Sequence, residues 1–388
     1  MIKLRFIFFY LRKKIFFLNK YPKGVIFPNK TLEKKYLDIK QKTISESIES
    51  NHQFQKLIKK KTKLIKITTN KLYCKNKYDY FFANFYLFNN KYFFYEKNKR
   101  RFYLNNIYQF DDKPNDFFNI NKLNIENFSE KFTKIPKKIH LYKKPIINIS
   151  TMGNSSYFHW LFFPGLINLS SLEDDELTSL KKYLFYIGPL KEIPNYIFDT
   201  LKILKISRKQ IITIPCTSNL LISSFQENYY DCVTKRHISF LRKYFLPHAS
   251  KKISNRLDKI YIARKDRFPR NLQNLNEFEN FIIKDKKFTK VYLEDYSLFD
   301  QISIFNNAKY IIGVHGAGMS NVVFCNIKVK IIEIIPSNRI NTLVASICMI
   351  SKLNYYPLVL GVINSQNRYS FKINLLSLKK YLNITFKL

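Results

Sequence analysis

Short apolar runs alternate with helical stretches through residues 258–360, and this alternation limits the fold more than any other feature of the sequence. The predicted strands are 259–263, 291–294, 310–314, 329–334 and 356–360, and the predicted helices are 275–283, 297–307 and 341–350, with a further helix after the glycines near 316. Such runs are typical of strands that are buried on both faces of a parallel sheet. Strands joined by helical crossovers predict a Rossmann-like sheet, which binds ligands at the carboxyl ends of its strands.

A glycine-rich stretch closes the third of these strands. Residues 313–321 read Gly-Val-His-Gly-Ala-Gly-Met-Ser-Asn, and Ser320 or Asn321 is expected to cap the helix that follows. Glycines allow a tight turn and a close approach of ligand to backbone, and the N–H groups that begin a helix favour phosphate. An ordinary glycine turn stays open as an alternative, because Gly-x-x-Gly-x-Gly is not a dinucleotide fingerprint.

Charged residues follow two other strands of the predicted sheet. Arg264, Lys265, Arg267 and Arg270 come after the first strand, and Glu333 is predicted to end the fourth. Guanidinium groups bind phosphate oxygens through paired hydrogen bonds, and a carboxylate at a strand end is placed to hold ribose hydroxyls. Together with the glycine turn they predict a nucleotide-diphosphate site, although Arg267 and Arg270 are equally consistent with solvated loop charges.

A second alternation of strands and helices precedes the first. Strands are predicted at 146–149, 183–187, 210–214 and 220–223, and helices at 196–206 and 233–244. The sequence Tyr-Phe-His-Trp-Leu at 157–161 opens another apolar helix after the first of these strands. His159, in its first turn, is either a general base near neutral pH or a hydrogen-bonded, half-buried histidine.

The earlier part of the chain carries weaker patterns. Residues 30–66 are rich in lysine and are expected to form exposed helix or linker, whereas the aromatic stretch 72–110 predicts short strands and turns. Aromatic residues among lysines suit either a packed meander or the stacking of bases and sugars. Residues 1–18 alternate apolar and basic positions, with apolar runs too short to span a bilayer and no small-residue cleavage site after them. They predict either a segment at a membrane interface or a first strand and turn.

The 388 residues carry a formal net charge of +39, for which three explanations stay open. The excess of lysine reflects a compositional bias, an attraction to anionic lipid or an acidic polymer, or an affinity for nucleic acid. No zinc-finger or RNA-recognition signature accompanies the charge. The five cysteines form no Cys-x-x-Cys pair and are odd in number, which favours a reducing compartment, and Cys325 and Cys348 are predicted to be core residues rather than metal ligands.

Several of these segments, taken together, resemble glycosyltransferase family 61 over residues 145–340. They are Tyr-Ile-Ala-Arg at 261–264 with Arg270, Asn-Glu at 276–277, Gln-Ile at 301–302, residues 313–321 with Phe324, Ile-Glu-Ile at 332–334, and the His-Trp pair at 159–160. One element differs, because the acidic residue and Pro-Arg pair that many members carry after His-Trp are replaced here by Leu-Phe-Phe-Pro-Gly. The resemblance therefore identifies no carboxylate that would assist His159.

The resemblance implies an α/β fold of the GT-B type, in which two Rossmann-like domains face each other across a cleft. It implies a transferase that inverts the anomeric centre, needs neither metal nor other cofactor, and moves a sugar from a nucleotide sugar to a glycan or lipid-linked acceptor. By the same analogy His159 serves the acceptor and Glu333 the ribose. The residues that would face the donor diphosphate are Arg264, Arg270, His315, Gly316, Gly318 and Asn321.

The predicted organisation is a basic N-terminal extension (1–66), an acceptor-side α/β domain (67–250), a nucleotide-sugar domain (251–370) and a C-terminal tail (371–388). We expect a cytoplasmic protein, peripheral on the inner face of a membrane, that acts in polysaccharide or capsule synthesis. A basic nucleic-acid- or polyanion-binding protein and a non-catalytic nucleotide-sugar-binding module are the alternatives.

Overall fold

The computed structural model describes most of the chain from residue 140 onward and several strands before it. The described residues are 25–26, 37–49, 57, 62–74, 78–82, 92–96, 101–104, 140–150, 156–162, 164–188, 192–214, 216–218, 220–226, 233–251, 257–265, 271–338, 340–364 and 370–387. Residues 1–18 and the loop at 153–156, except Ser156, lie outside this set.

Six strands precede residue 140 in the described part of the chain. They are β1 (Val25–Ile26), β2 (Leu37–Glu49), β3 (Thr62–Cys74), β4 (Tyr78–Phe82), β5 (Tyr92–Glu96) and β6 (Arg101–Leu104). The last three form an antiparallel meander with β1 along β6, which confirms the strands predicted in 72–110. The expectation of helix or linker at 30–66 is wrong for β2 and the start of β3, which pair over their full lengths. The local sequence does not reveal the partner that β3 finds more than a hundred residues later.

The first α/β unit follows residue 140. Its strands are β7 (His140–Tyr142), β8 (Ile146–Asn148), β9 (Leu184–Tyr186), β10 (Ile211–Ile212), β11 (Cys216–Ser218) and β12 (Leu220–Gln226). Its helices are α1 (Tyr157–Phe162), α2 (Pro164–Ser170), α3 (Asp174–Thr178), α4 (Asn195–Ile203) and α5 (Lys235–Phe245), with 3-10 turns at Leu180–Lys182, Arg208–Gln210 and Leu246–His248. The strands and helices predicted here are confirmed, most with shorter bounds.

Four of these strands form one sheet with β3 and β2, in the order β10-β9-β8-β12-β3-β2. The first four are parallel, and β3 and β2 extend the sheet in antiparallel fashion. If the four parallel strands are numbered by their order in the chain, they lie across the sheet as 3-2-1-4. The direction of winding therefore reverses between β8 and β12. Helix α1, which carries His159, follows β8 at this reversal. Ligands bind beside such a reversal in open α/β sheets.

The second α/β unit contains the strands predicted from the alternation in 258–360. Its strands are β13 (Lys259–Ala263), β14 (Asn271–Leu272), β15 (Thr289–Tyr292), β16 (Tyr310–Val314), β17 (Lys330–Pro336), β18 (Asn354–Leu360), β19 (Val362–Asn364) and β20 (Ser370–Phe371). Its helices are α6 (Leu275–Glu279), which continues as a π-helix (Asn280–Asp285), α7 (Leu298–Asn307), α8 (Leu343–Ile350) and α9 (Leu375–Thr385), with 3-10 helices at Leu293–Asp295 and Ala317–Phe324.

Five of these strands form a parallel sheet in the order β15-β13-β16-β17-β18. In chain order this is 2-1-3-4-5, a doubly wound arrangement whose reversal lies between β13 and β16. Alternate residues of the strands join different buried clusters: Ile311 packs in one cluster, whereas Ile312 packs in the other. Burial on both faces explains why the strands read as continuous apolar runs.

The two units share one hydrophobic core. The larger cluster contains residues of both sheets, and the rings of Phe245 and Phe324 stack at 6.1 Å between centroids. Arg242 of α5 donates hydrogen bonds to the carbonyl oxygens of Val323 (2.7 Å) and Cys325 (2.8 Å), at the end of the 3-10 helix. The protein therefore has an α/β fold with parallel sheets whose helices pack against each other.

Three further expectations concern the whole chain. Cys325 and Cys348 are fully buried free thiols, which confirms their place in the core. Among the described helices none is long and apolar enough to cross a membrane. The boundary predicted after residue 66 falls within β3, and the predicted domain limits stay predictions.

Candidate functional site

Arg264 and His315 flank the winding reversal of the second sheet. Strand β13 ends at Ala263 and β16 at Val314, and the two strands are neighbours in register, with Ile262 opposite Gly313. Arg264 is the first residue after β13 and His315 is the first residue after β16, so the fold brings together two residues that lie far apart in the sequence. Arg264 is half-buried. Arg267 and Arg270 lie in the stretch 266–270, outside the described residues.

His315 belongs to a buried polar cluster that runs across three strands. Its Nδ1 lies 2.6 Å from Oε1 of Glu333, and the hydroxyl of Tyr355 donates to the other oxygen, Oε2, at 2.6 Å. The backbone N–H of His315 donates to the carbonyl oxygen of Ile334 (2.8 Å), which extends the ladder between β16 and β17 by one residue. The carboxylate therefore fixes one nitrogen of the imidazole, and the ladder fixes its backbone.

Glu333 lies inside β17, not at its end, which corrects the predicted strand boundary. The strand continues to Pro336, and the side chain of Glu333 is 0% exposed. A buried carboxylate needs hydrogen-bond partners, and His315 and Tyr355 satisfy one oxygen each. In this arrangement the carboxylate faces the protein interior, so the ribose contact stays a prediction that would require a rearrangement.

The glycines of the turn are needed for packing. A Cβ atom on Gly313 would lie 2.4 Å from Sδ of Met319, and one on Gly318 would lie 2.6 Å from Cδ1 of Leu293. Both distances are below any normal contact between heavy atoms. These glycines therefore let the 3-10 helix Ala317–Phe324 lie directly on the sheet, with its first N–H groups close to the end of β16.

Ser320 and Asn321 do not cap this helix, contrary to expectation. The helix begins at Ala317, directly after Gly316, and both residues lie within it and are 0% exposed. The hydroxyl of Ser320 donates to the carbonyl oxygen of Ala317 at 2.5 Å. Gly316 and Gly318 remain at the start of the helix, where backbone donors are expected.

Asn321 links the two α/β units through hydrogen bonds. Its Oδ1 accepts from the hydroxyl of Tyr157 (2.6 Å), and its Nδ2 donates to Oε1 of Gln301 (3.0 Å). Gln301 in turn donates to the carbonyl oxygens of Leu293 (2.9 Å) and Tyr296 (3.1 Å). Burial raises the pKa of Tyr157, so its hydroxyl stays protonated and can donate. Asn321 thus contacts protein on both sides, and its diphosphate contact stays a prediction.

His159 lies on α1 next to this network, two residues after Tyr157. It is half-buried, and its ring centroid lies 5.5 Å from that of Phe158. Helix α1 packs against the 3-10 helix Ala317–Phe324. His159 and the glycine turn are therefore on adjoining elements.

A second histidine, His237, anchors α1 and was not singled out from the sequence. Its Nε2 lies 2.8 Å from the carbonyl oxygen of Leu161, and its Nδ1 lies 2.8 Å from Oγ of Ser170. Burial lowers the pKa of His237 to about 4, so the ring is neutral at pH 7. A carbonyl only accepts hydrogen bonds, hence Nε2 carries the proton and Nδ1 accepts from Ser170.

The sequence also gave no reason to select Tyr355, which lies in an ordinary apolar run. The available signal was the alternation of side chains along strands, because residues of neighbouring strands on one face meet at fixed offsets. Within the described ranges, no three His, Cys, Asp or Glu side chains come together in a way that would hold a metal ion.

Comparison with known families identifies this region. The family model described as Glycosyltransferase 61 matches residues 157–332, from the first residue of α1 to the residue before Glu333. The match covers α1, Arg264, the glycine turn and the first three residues of β17. No curated protein matches the chain significantly. Residues 157–332 of this protein form a glycosyltransferase family 61 domain.

Proposed function

We propose that this protein transfers a sugar from a nucleotide-sugar donor to a hydroxyl group of a glycan or lipid-linked acceptor. Membership of the family implies sugar transfer, with a sugar donor and an acceptor as substrates. The observation that carries the donor assignment is the meeting of Arg264, His315 and the start of the 3-10 helix at one winding reversal. A cation, an imidazole and backbone N–H groups at this place form a site for an anion.

In this proposal the donor diphosphate binds at the glycine turn. Arg264 and Arg270 bind its oxygens, and His315 and the backbone N–H groups near Gly316 and Gly318 complete the site. The sugar leaves a nucleoside diphosphate behind, so donors aimed at that group stabilise the charge that develops in the transition state. Asn321 supports the helix that carries these donors, since its own side chain is buried.

The acceptor side of the proposed site is built by α1. The two parallel sheets correspond, in this proposal, to the two lobes of a GT-B transferase, with His159 on the acceptor lobe. A general base has to remove the proton of the attacking hydroxyl, and a half-buried histidine suits that task near neutral pH. The proposed reaction inverts the anomeric centre and uses no metal.

The positive charge of the chain supports an acidic or membrane-bound acceptor and a location at a membrane surface. An excess of 39 positive charges attracts anionic lipid and acidic polymers. We therefore place the protein in the cytoplasm, peripheral on the inner face of a membrane, with a polysaccharide, capsular or lipid-linked glycan as acceptor.

A thermal-shift screen against nucleotides and nucleotide sugars, without added metal, tests the proposal. A ligand that binds only the folded state, at 100 times its dissociation constant, adds roughly 2.7 kcal/mol to the stability. One class of nucleoside diphosphate and its sugars should raise the melting temperature of the wild type. Arg264→Ala and His315→Ala should lose that shift and the transfer activity while they keep their fold.

Arg208→Ala is the matched control. Arg208 stacks on the ring of Phe198, with 4.3 Å between its Cζ and the ring centroid, and precedes β10 at the amino end of the first sheet. This variant should keep the ligand response. No response of the wild type to any nucleotide, together with a salt-sensitive response to RNA or heparin, would replace the transferase assignment by the polyanion-binding alternative.

A further inference from the structure

We propose that His315 and Glu333 share a single proton, so that the imidazole presents an Nε2–H donor to the diphosphate, with Glu333 and Tyr355 as the positioning residues of that donor. The inference rests on the proposed function, because it concerns the same turn. It gives Glu333 a different task from the ribose contact predicted by resemblance.

The geometry of three adjacent strands supports this assignment. Gly313 lies opposite Glu333 in the β16–β17 register, and Ile331 lies opposite Tyr355 in the β17–β18 register. His315 thus lies two residues beyond the position opposite Glu333, and Glu333 lies two residues beyond the position opposite Tyr355. Side chains two residues apart point to the same face, so the three groups form one diagonal row across the sheet. Gly313, which has no side chain, leaves the row uninterrupted.

Hydrogen-bond chemistry limits the proton arrangements of the pair. If the carboxylate is ionised and the ring is an imidazolium, Nδ1–H donates to Oε1 and Nε2 carries a proton. If instead the proton lies on Glu333, its O–H donates to Nδ1, and the neutral ring again carries its proton on Nε2. Only a pair without the shared proton leaves Nε2 bare. That pair would hold an unbalanced negative charge at 0% exposure, beside a site for an anion.

The other titratable groups beside Glu333 cannot balance its charge. Burial, followed by the charge of Glu333, raises the pKa of the Tyr355 hydroxyl well above its usual value. Burial, the neighbouring Cys325 and the charge of Glu333 do the same for the Cys348 thiol. Both groups are therefore neutral at pH 7, and Tyr355 contributes a hydrogen bond but no charge. His315 is the one partner of Glu333 among the described residues that can balance the carboxylate.

Glu333→Gln separates positioning from charge. Glutamine has nearly the same size and keeps one oxygen for a hydrogen bond, but it cannot hold the shared proton. The ring then loses its charge balance, and Nε2 is no longer obliged to carry a proton. Tyr355→Phe has a milder effect, because it removes the second hydrogen bond of the carboxylate and leaves the contact with His315 in place.

Nitrogen-15 NMR of the histidine rings reads the proton on Nε2 directly. The chain has six histidines, so the spectrum is sparse, and the signal absent from His315→Gln identifies His315. We expect a protonated Nε2 at pH 7 in the wild type and a changed signature in Glu333→Gln. Calorimetry with inorganic pyrophosphate as the probe should show affinity weakened by about tenfold or more in Glu333→Gln, and by less in Tyr355→Phe.

Tyr381→Phe is the control, because its hydroxyl donates to the carbonyl oxygen of Pro357 (3.0 Å) on the strand of Tyr355, and its ring packs against the buried cluster on the other face of the sheet. It should leave both the His315 signal and pyrophosphate binding unchanged. A bare Nε2 in the wild type at pH 7 would overturn the inference, as would a Glu333→Gln variant with the wild-type signature. Wild type that shows the protonated Nε2 but does not bind pyrophosphate would instead refute the donor site in the proposed function, and leave the shared proton supported.

Discussion

Removing the hydroxyl of Tyr157 should uncouple α1 from the 3-10 helix that carries the glycine turn. In the folded protein this hydroxyl donates to Oδ1 of Asn321 at 2.6 Å, and the two residues are 164 positions apart. Asn321 is 0% exposed, so in Tyr157→Phe water cannot replace the lost donor without a local opening. The change deletes one atom and keeps the edge-to-face contact with the ring of Tyr196, whose centroid lies 5.3 Å away.

The expected cost follows from the unpaired acceptor. Leaving a buried acceptor without its donor costs about 1–3 kcal/mol of unfolding free energy, more than the net worth of the hydrogen bond itself. Asn321→Ala removes the acceptor together with the bond to Gln301, so it should cost at least as much. The double variant should cost less than the sum, with a coupling energy of about 0.5–3 kcal/mol for two residues in contact.

Urea unfolding followed by the fluorescence of Trp160 measures these costs. Trp160 is the one tryptophan of the chain, is 0% exposed and lies on α1, three residues from Tyr157. A lower midpoint at an unchanged slope would report a true loss of stability. Tyr244→Phe is the control, since Tyr244 is half-buried and its hydroxyl makes no hydrogen bond within the described part of the chain. Additive costs for the two single variants would refute the proposed link between the units.

Three further predictions concern packing, pH and backbone conformation. Gly318→Val should destabilise the fold by about 1–3 kcal/mol through overpacking against Leu293, and should abolish any response to pyrophosphate, whereas Gly361→Ala, which has open space, should not. The pKa of His237 is about 4 in the folded state and near 6.5 when unfolded, so the unfolded chain takes up its proton first as the pH falls. Stability should therefore decrease between pH 6.5 and pH 4, by on the order of 3 kcal/mol, and urea titrations of His237→Gln should show a flatter profile. Lys352 follows α8 with φ of 55°, a conformation that costs about 1 kcal/mol for a residue with a side chain, so Lys352→Gly should raise the urea midpoint; a fall would contradict this reasoning.

Local patterns were sufficient for the elements of the second sheet. The observed bounds of β13 and β16 are the predicted ones. Continuous apolar runs mark such strands clearly, because the strands are buried on both faces of the sheet. The position of Arg264 and His315 at strand ends followed from the same reasoning. Strands β2 and β3 could not be found in this way, since their pairing depends on β12, far along the chain.

The amino-acid sequence by itself determined the α/β class, the alternation of strands and helices after residue 258 and the family of residues 157–332, since these depend on periodicity and on short motifs. Only the tertiary structure decided what the polar residues of the candidate site contact. Glu333 was expected at a strand end facing ligand, yet strand register places it between His315 and Tyr355. Asn321 was expected at a helix start, yet it lies within the 3-10 helix that packs against α1, and it accepts a hydrogen bond from Tyr157 there. Contacts between strands and between helices depend on register and packing distance, which no local pattern of residues encodes.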